Sequence, residues 1–329
     1  MDDRVVDRRA FLGTLGLAAV PRMAGAQAPR TYRLAYVNSA SETETRKPHL
    51  QALRGALADL GYVEGRNLVL DARFADGDGK RLATMVDDAV RSRPDVLLGF
   101  EDVAQLMRAR TTMVPIVLTG ALDPVSAGLA QSLAHPGTNV TGSTQLMDQL
   151  VVKHVELLRQ ILPRLGRIGQ LVDTTARGCT LIAGYARDAA DAVGAEFVPY
   201  SVATPAEIRQ AFARIGRQRV DALLPCPSPI LFSARAQMFA DAAKLRIPFT
   251  TFVVADVPPG VLFGYAATIE EGYARAATYV DKILKGATPG QLPIEQPTRF
   301  RLVINLKTAK ALGLTIPPSL LARADHVIE

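Results

Sequence analysis

From Tyr32 onward the chain repeats one unit, a short apolar run followed by apolar residues at helical spacing, and it passes through the series twice. Tyr32 to Val37 is apolar, and Leu50, Leu53, Leu57 and Leu60 then recur in the steps of one helix face before Gly61. Leu68, Leu70 and Ala72 alternate as a strand. Residues 82–90 are helical, 95–99 a buried strand, 103–109 helical and 115–119 a strand. Strands that alternate with helices pair in parallel through right-handed crossovers, so the expected class is α/β.

The series then restarts. His154, Leu157, Leu158 and Ile161 lie on a helix that stops at Pro163, and 167–172 is a strand followed by a helix through Val193. A strand over 195–202, the capping box Thr204-Pro205-Ala206-Glu207, and a strand over 220–224 follow. Pro225 to Pro229 reads as a rigid loop before a helix over 233–245, and Thr250, Thr251 and Asp256 fall in a joining loop. A strand over 261–265, a helix over 268–285, an extended linker over 289–297 and a strand over 301–304 complete the chain. Arg93-Pro94-Asp95-Val96-Leu97-Leu98 is echoed by Arg219-Val220-Asp221-Ala222-Leu223-Leu224, which suggests two like domains. With 329 residues, 48% of them hydrophobic, the chain has material for two cores.

Between the two series, Asp123-Pro124 reads as a helix start and His135-Pro136-Gly137 as its stop. Asn139-Val140-Thr141-Gly142 is then a short strand leading away, suited to a crossing between lobes.

The N-terminus reads as a twin-arginine export signal over residues 1–26: Arg8-Arg9-Ala10-Phe11-Leu12, an apolar run to Val20, and the small residues Ala24-Gly25-Ala26. A soluble periplasmic protein starting near Gln27 is expected, with no membrane insertion after cleavage. The net charge of +6 is spread along the chain without a basic block, which argues against nucleic acid as a partner. Cys179 and Cys226 would meet an oxidising compartment, where pairing and separate burial both remain open.

Catalytic signatures are missing: the sequence has no Gly-x-Ser-x-Gly elbow, no Walker A loop and no His-Glu-x-x-His. His49, His135, His154 and His326 do not form a metal set, and each is expected to be a surface or internally satisfied residue. No catalytic residue, metal or cofactor is therefore expected. In open α/β sheets a ligand binds beyond the carboxyl ends of the strands. Here those ends carry Asn38 and Ser39, then Phe100, Glu101 and Asp102, Leu122 and Asp123, Asp173 and Thr174, and Ser228, with Asp256 on the joining loop. Any of the Asp or Ser residues could equally be a helix cap.

Five phrases carry a resemblance. They are Leu60-Gly61-Tyr62-Val63-Glu64-Gly65-Arg66-Asn67, Asp123-Pro124-Val125, Pro136-Gly137-Thr138-Asn139-Val140-Thr141-Gly142, Tyr279-Val280-Asp281-Lys282-Ile283-Leu284-Lys285-Gly286 and the run from Val303 to Leu314. Over about residue 31 to the C-terminus the chain resembles the ABC-transporter substrate-binding family similar to tryptophan-binding solute receptors. The resemblance implies a type I periplasmic binding protein: two Rossmann-like lobes with parallel sheets, joined by a multi-stranded hinge around an enclosed ligand. It implies one lobe of 31–141 plus about 266–290 and a second of 142–265 plus about 298–329. The hinge would include Asn139, Val140, Thr141, Gly142, Gly264 and Tyr265, with Thr144 and Gln145 near the ligand.

Relatives usually carry Ser-Gly-Thr-Pro-Ala-Ala after the third strand, where this chain has Gly99-Phe100-Glu101-Asp102-Val103-Ala104. Two carboxylates there suit a ligand amine or hydroxyl better than an anion, with Arg177 as a positive partner. With the strand order 2-1-3-4-5 of such a lobe, Cys179 and Cys226 follow neighbouring strands, and a disulfide becomes feasible. The implied function is capture of an amino acid or related small organic solute by hinge closure, for an inner-membrane ABC permease and its ATPase. A monomer is expected, and the alternative is a ligand-sensing subunit for a signalling receptor.

Overall fold

The computed structural model describes residues 30–42, 47–254 and 257–329. The export-signal segment over 1–26 and Asp256 lie outside the described residues.

The first series gives β1 (Tyr32–Asn38), α1 (Lys47–Asp59), β2 (Leu68–Phe74), α2 (Gly79–Arg91), β3 (Val96–Phe100), α3 (Glu101–Arg110) and β4 (Ile116–Gly120). A five-stranded parallel sheet of order β2-β1-β3-β4-β5 closes on β5 (Val140–Gly142). Alternation along β1 sends Leu34 and Tyr36 to one face and Ala35 and Val37 to the other. On the first face they join Leu50, Leu53 and Leu57 of α1; on the second they join Val86 of α2 and Met107 of α3.

The second series gives α4 (Met147–Ile161), β6 (Arg167–Asp173), α5 (Arg177–Ala192), β7 (Glu196–Val202), α6 (Pro205–Gln218), β8 (Ala222–Leu224), α7 (Pro229–Lys244), β9 (Phe249–Thr251) and β10 (Val261–Ala267). It is followed by α8 (Ile269–Leu284), β11 (Phe300–Asn305), α9 (Leu306–Leu312), α10 (Pro318–Leu321) and β12 (His326–Ile328). These strands form a separate seven-stranded sheet of order β12-β11-β10-β9-β8-β6-β7. Read from β7, its first five strands repeat the 2-1-3-4-5 order of the first sheet. Among the described residues, only β10 and β11 pair antiparallel. Helices α4 and α5 bury one face of this sheet, α6 and α7 the other.

The sequence echo is conformational as well. Arg93 and Arg219, each preceding the third strand of its sheet, both hold left-handed backbone at φ 49° and 51°.

Helix α8 returns to the first sheet, where Tyr273, Ala276, Ala277 and Val280 pack with α1 and β1. The chain thus passes between the two sheets after β5, after β10 and again before β11. The first and third passages are tied together: Ser143 bridges Glu295, Glu295 N–H donates to the Gly142 carbonyl at 2.9 Å, and Thr144 N–H donates to the Glu295 carbonyl at 3.0 Å. Arg275 of α8 holds Glu295 at 2.5 Å and Glu271 at 2.7 Å. Gly142 has φ 129°, and a β-carbon there would overlap the backbone of Leu118.

Three local expectations change. The segment after Asp123 forms turns rather than a helix: Asp123 accepts from Ala127 N–H at 3.0 Å, but Leu129 N–H reaches the Pro124 carbonyl instead of continuing the helical pattern. Helix α7 starts at Pro229, ahead of the expected 233, because Ser228 caps it by accepting from Leu231 N–H at 3.2 Å. Thr250 and Thr251 lie in buried strand β9, not in a joining loop.

Candidate functional site

The carboxyl ends of the two sheets face each other, because the loop after β4 touches the start of α5. Arg177 Nη2 donates to the Ser126 carbonyl at 3.0 Å, and Tyr185 Oη donates to Asp123 Oδ2 at 3.2 Å. Leu122, only 9% exposed, joins the hydrophobic cluster of α4 and α5, against which Phe100 also packs. Gly178 lies directly under the Leu122 side chain.

On the first sheet, Asn38 ends β1, donating from Nδ2 to Tyr36 Oη at 2.5 Å and accepting from Ala40 N–H at 2.9 Å. The half-buried Ser39 accepts from Gly77 N–H through its carbonyl. Phe100 caps α3 without a side-chain bond. The next two residues diverge: Glu101 is buried and Asp102 exposed. Glu101 Oε2 accepts from Asp123 N–H at 2.7 Å, so this carboxylate braces the loop after β4. Burial pushes the Glu101 carboxyl above its ordinary range, against the lowering effect of backbone bonds from Asp123 and Leu122.

Asp123 accepts from Val125 N–H at 3.1 Å and Ser126 N–H at 3.0 Å as well as from Tyr185. Burial raises its pKa, but bonds from Ser126, Tyr185 and Val125 outweigh that and hold the carboxyl below its ordinary value. Tyr185, partly buried and beside Asp123, is pushed up to about 12. Thr144 Oγ1 donates to the Ala121 carbonyl at 3.0 Å, and Gln145 N–H to the same oxygen at 2.7 Å. Both residues follow β5, and these bonds tie them to the loop that follows β4.

On the second sheet, Asp173 ends β6 at 1% exposure. Its Oδ1 accepts from Thr175 N–H and Oγ1–H at 2.9 and 2.6 Å, while Oδ2 is buried with no partner among the described residues. Thr174 is exposed and Ser228 is buried as the cap of α7. Cys179 of α5 and Cys226 form a disulfide with Cα atoms 5.7 Å apart, so the start of α5 is fixed to the loop before α7. Gly264 and Tyr265 lie within β10, before the chain leaves the sheet at Ala267. Among the described residues, no group of three or more His, Cys, Asp or Glu is placed to hold a metal.

Residues 37–328 match the family model for ABC transporter substrate binding proteins. The chain belongs to that family. It is a solute-binding, non-enzymatic family, and its members act outside the cytoplasm. A curated relative, the tyrosine-binding protein of Clostridioides difficile, is 26% identical over 79% of this chain and 74% of its own. A conserved domain protein of Vibrio cholerae is similar in structure, with a TM-score of 0.83 and 29% identity over 91% of this chain and all of that one (100%). An ABC domain from Streptococcus pneumoniae solved with L-Trp has a TM-score of 0.83 at 24% identity, covering 91% of this chain and 100% of that one. The shared architecture is the two-domain parallel-sheet fold of type I periplasmic binding proteins. Among the described residues no helix is long and apolar enough to cross a membrane.

Sequence reasoning passed over Tyr185 and Gly178. Both lie on α5, seven residues apart and hence on one face, a spacing that was readable from the sequence.

Proposed function

We propose that this chain is the periplasmic solute receptor of an ABC importer, exported by the twin-arginine route. It captures an amino acid or related small organic solute between its two sheets and presents it, as a monomer, to a permease and its ATPase. The observation that carries this reading is the meeting of the two carboxyl-terminal sheet ends through Asp123–Tyr185 and Arg177–Ser126. The lobes are assigned as 31–141 with about 266–290, and 142–265 with about 298–329. Asn139, Val140, Thr141, Gly142, Gly264 and Tyr265 belong to or adjoin the passages between them.

Within the cleft, Asp102 is the acid left to face a ligand amine, because Glu101 is occupied by backbone N–H groups. The buried Asp173 Oδ2, which has no partner among the described residues, is a second acceptor that a ligand donor would satisfy. Arg177 is the nearby cation for a ligand carboxylate, and Asn38, Ser39, Phe100 and Gln145 complete the wall. Relatives described as binding tyrosine and tryptophan support an amino-acid ligand.

Calorimetry against L-tyrosine, L-tryptophan, other amino acids, amines and carboxylates tests the reading. An amino acid should bind, and Asp102→Asn should weaken it more than Glu101→Gln. Binding of carboxylates lacking an amine, unaffected by Asp102→Asn, would overturn the assignment.

A further inference from the structure

The contact between the loop after β4 and α5 is more than proximity of two surfaces. Leu122 reaches from the first sheet onto the first turn of α5 and lies against Gly178. A β-carbon built on Gly178 would fall well inside van der Waals contact with Leu122 Cδ1. The helix itself does not require glycine there, since Gly178 is helical and absent from the positive-φ glycines, and alanine is the better helix former. What the glycine provides is room for the partner. Flanking it, Arg177 holds the Ser126 carbonyl, and Tyr185, two helical turns further on, holds Asp123. Cys179, the next residue, pins this turn through its disulfide to Cys226.

We propose that Gly178 and Tyr185 are positioning residues of a built-in closure latch, in which Leu122 seats over Gly178 and Tyr185 holds Asp123. This rests on the reading that the two sheets belong to lobes that open and close. The latch biases the protein toward closure before a solute arrives. A receptor whose binding-competent form is already populated loses less affinity to the conformational step.

The test needs no ligand. Small-angle X-ray scattering and amide hydrogen exchange are measured on the purified protein and on Gly178→Ala, Leu122→Ala and the double variant. Gly178→Ala should enlarge the radius of gyration and strip protection from residues 121–126, and adding Leu122→Ala should restore compactness. A merely structural role for Gly178 would not be rescued in this way. Unchanged scattering and exchange in Gly178→Ala, or an opening that Leu122→Ala does not relieve, would overturn the latch. Should Gly178→Ala fail to fold, Tyr185→Phe removes one hydroxyl and is read by the same two measurements. It should lose protection over 121–126, and unchanged protection counts against the proposal. A solute panel without a binder would sink the ligand reading while leaving these outcomes intact.

Discussion

His154 Nδ1 lies 2.9 Å from Thr250 Oγ1, joining helix α4 to strand β9 inside the second sheet's core. The other ring nitrogen lies 2.8 Å from the Tyr265 carbonyl. A carbonyl only accepts, so Nε2 carries the proton and Nδ1 accepts from the threonine hydroxyl. Full burial pushes the pKa of this imidazole from 6.5 down to about 4, against the raising effect of the Tyr265 bond. The folded state therefore favours the neutral ring. Its stabilising contribution is complete above about 6.5 and is lost as pH falls toward about 4, a change of about 3 kcal/mol. Urea unfolding across that window should show wild type losing stability more steeply than His154→Gln, whose amide can still donate to Tyr265. Parallel slopes would contradict the assignment.

Glu101 titrates in the opposite sense. Its carboxyl is raised, so the neutral form is favoured in the fold and its stabilisation fades as pH climbs through the raised value. Glutamine keeps an acceptor for Asp123 N–H and avoids burying a charge. Relative to wild type, Glu101→Gln should gain stability as pH rises from about 4, the ordinary carboxyl range, through the raised value. Thermal melts at both ends of that range would show the gain, and a constant difference would refute it.

The Cys179–Cys226 disulfide closes a segment with a sequence separation of 47. Chain entropy alone assigns such a loop about 4 kcal/mol of stabilisation. The pair Cys179→Ala and Cys226→Ser should lower the unfolding free energy by about 2–4 kcal/mol. It should also raise amide exchange at the first turn of α5. A loss below about 0.5 kcal/mol would mean that the denatured chain gains little from release of the bond.

The repeat of strand and helix was legible because each element carries its own periodicity, and Arg93 and Arg219 marked equivalent places in both sheets. The short strands β5 and β8 were legible, but β9 was not. Strand β9 has three residues, and Thr250 and Thr251 read as polar until a buried histidine from α4 is seen to occupy one of them. The turns after Asp123 looked helical because the cap and proline are genuine, but after one helical bond, Ala127 N–H to the Asp123 carbonyl, Gly128 N–H turns to Val125 and Leu129 N–H to Pro124. In the candidate site the sequence could name acids but not their roles. Nothing in Glu101-Asp102 says which one turns inward, because that depends on the loop after β4.

Leu146 joins the first passage between the sheets to helix α4, and it does so in left-handed backbone at φ 55° and ψ 50°. For an L-residue this costs about 1–2 kcal/mol, through the approach of Cβ to the following carbonyl. The leucine side chain is buried, so any truncation loses packing. Comparing Leu146→Ala with Leu146→Gly removes that common loss and isolates the backbone. At an ordinary helix position glycine is the less stable of the two by about 1 kcal/mol. Here the order should invert, because alanine retains the Cβ that strains the left-handed conformation and glycine does not. Leu146→Gly should therefore unfold at higher urea than Leu146→Ala, by about 1 kcal/mol in free energy. An alanine variant equal to or more stable than the glycine variant would show that Leu146 stores no strain where the chain leaves the first sheet.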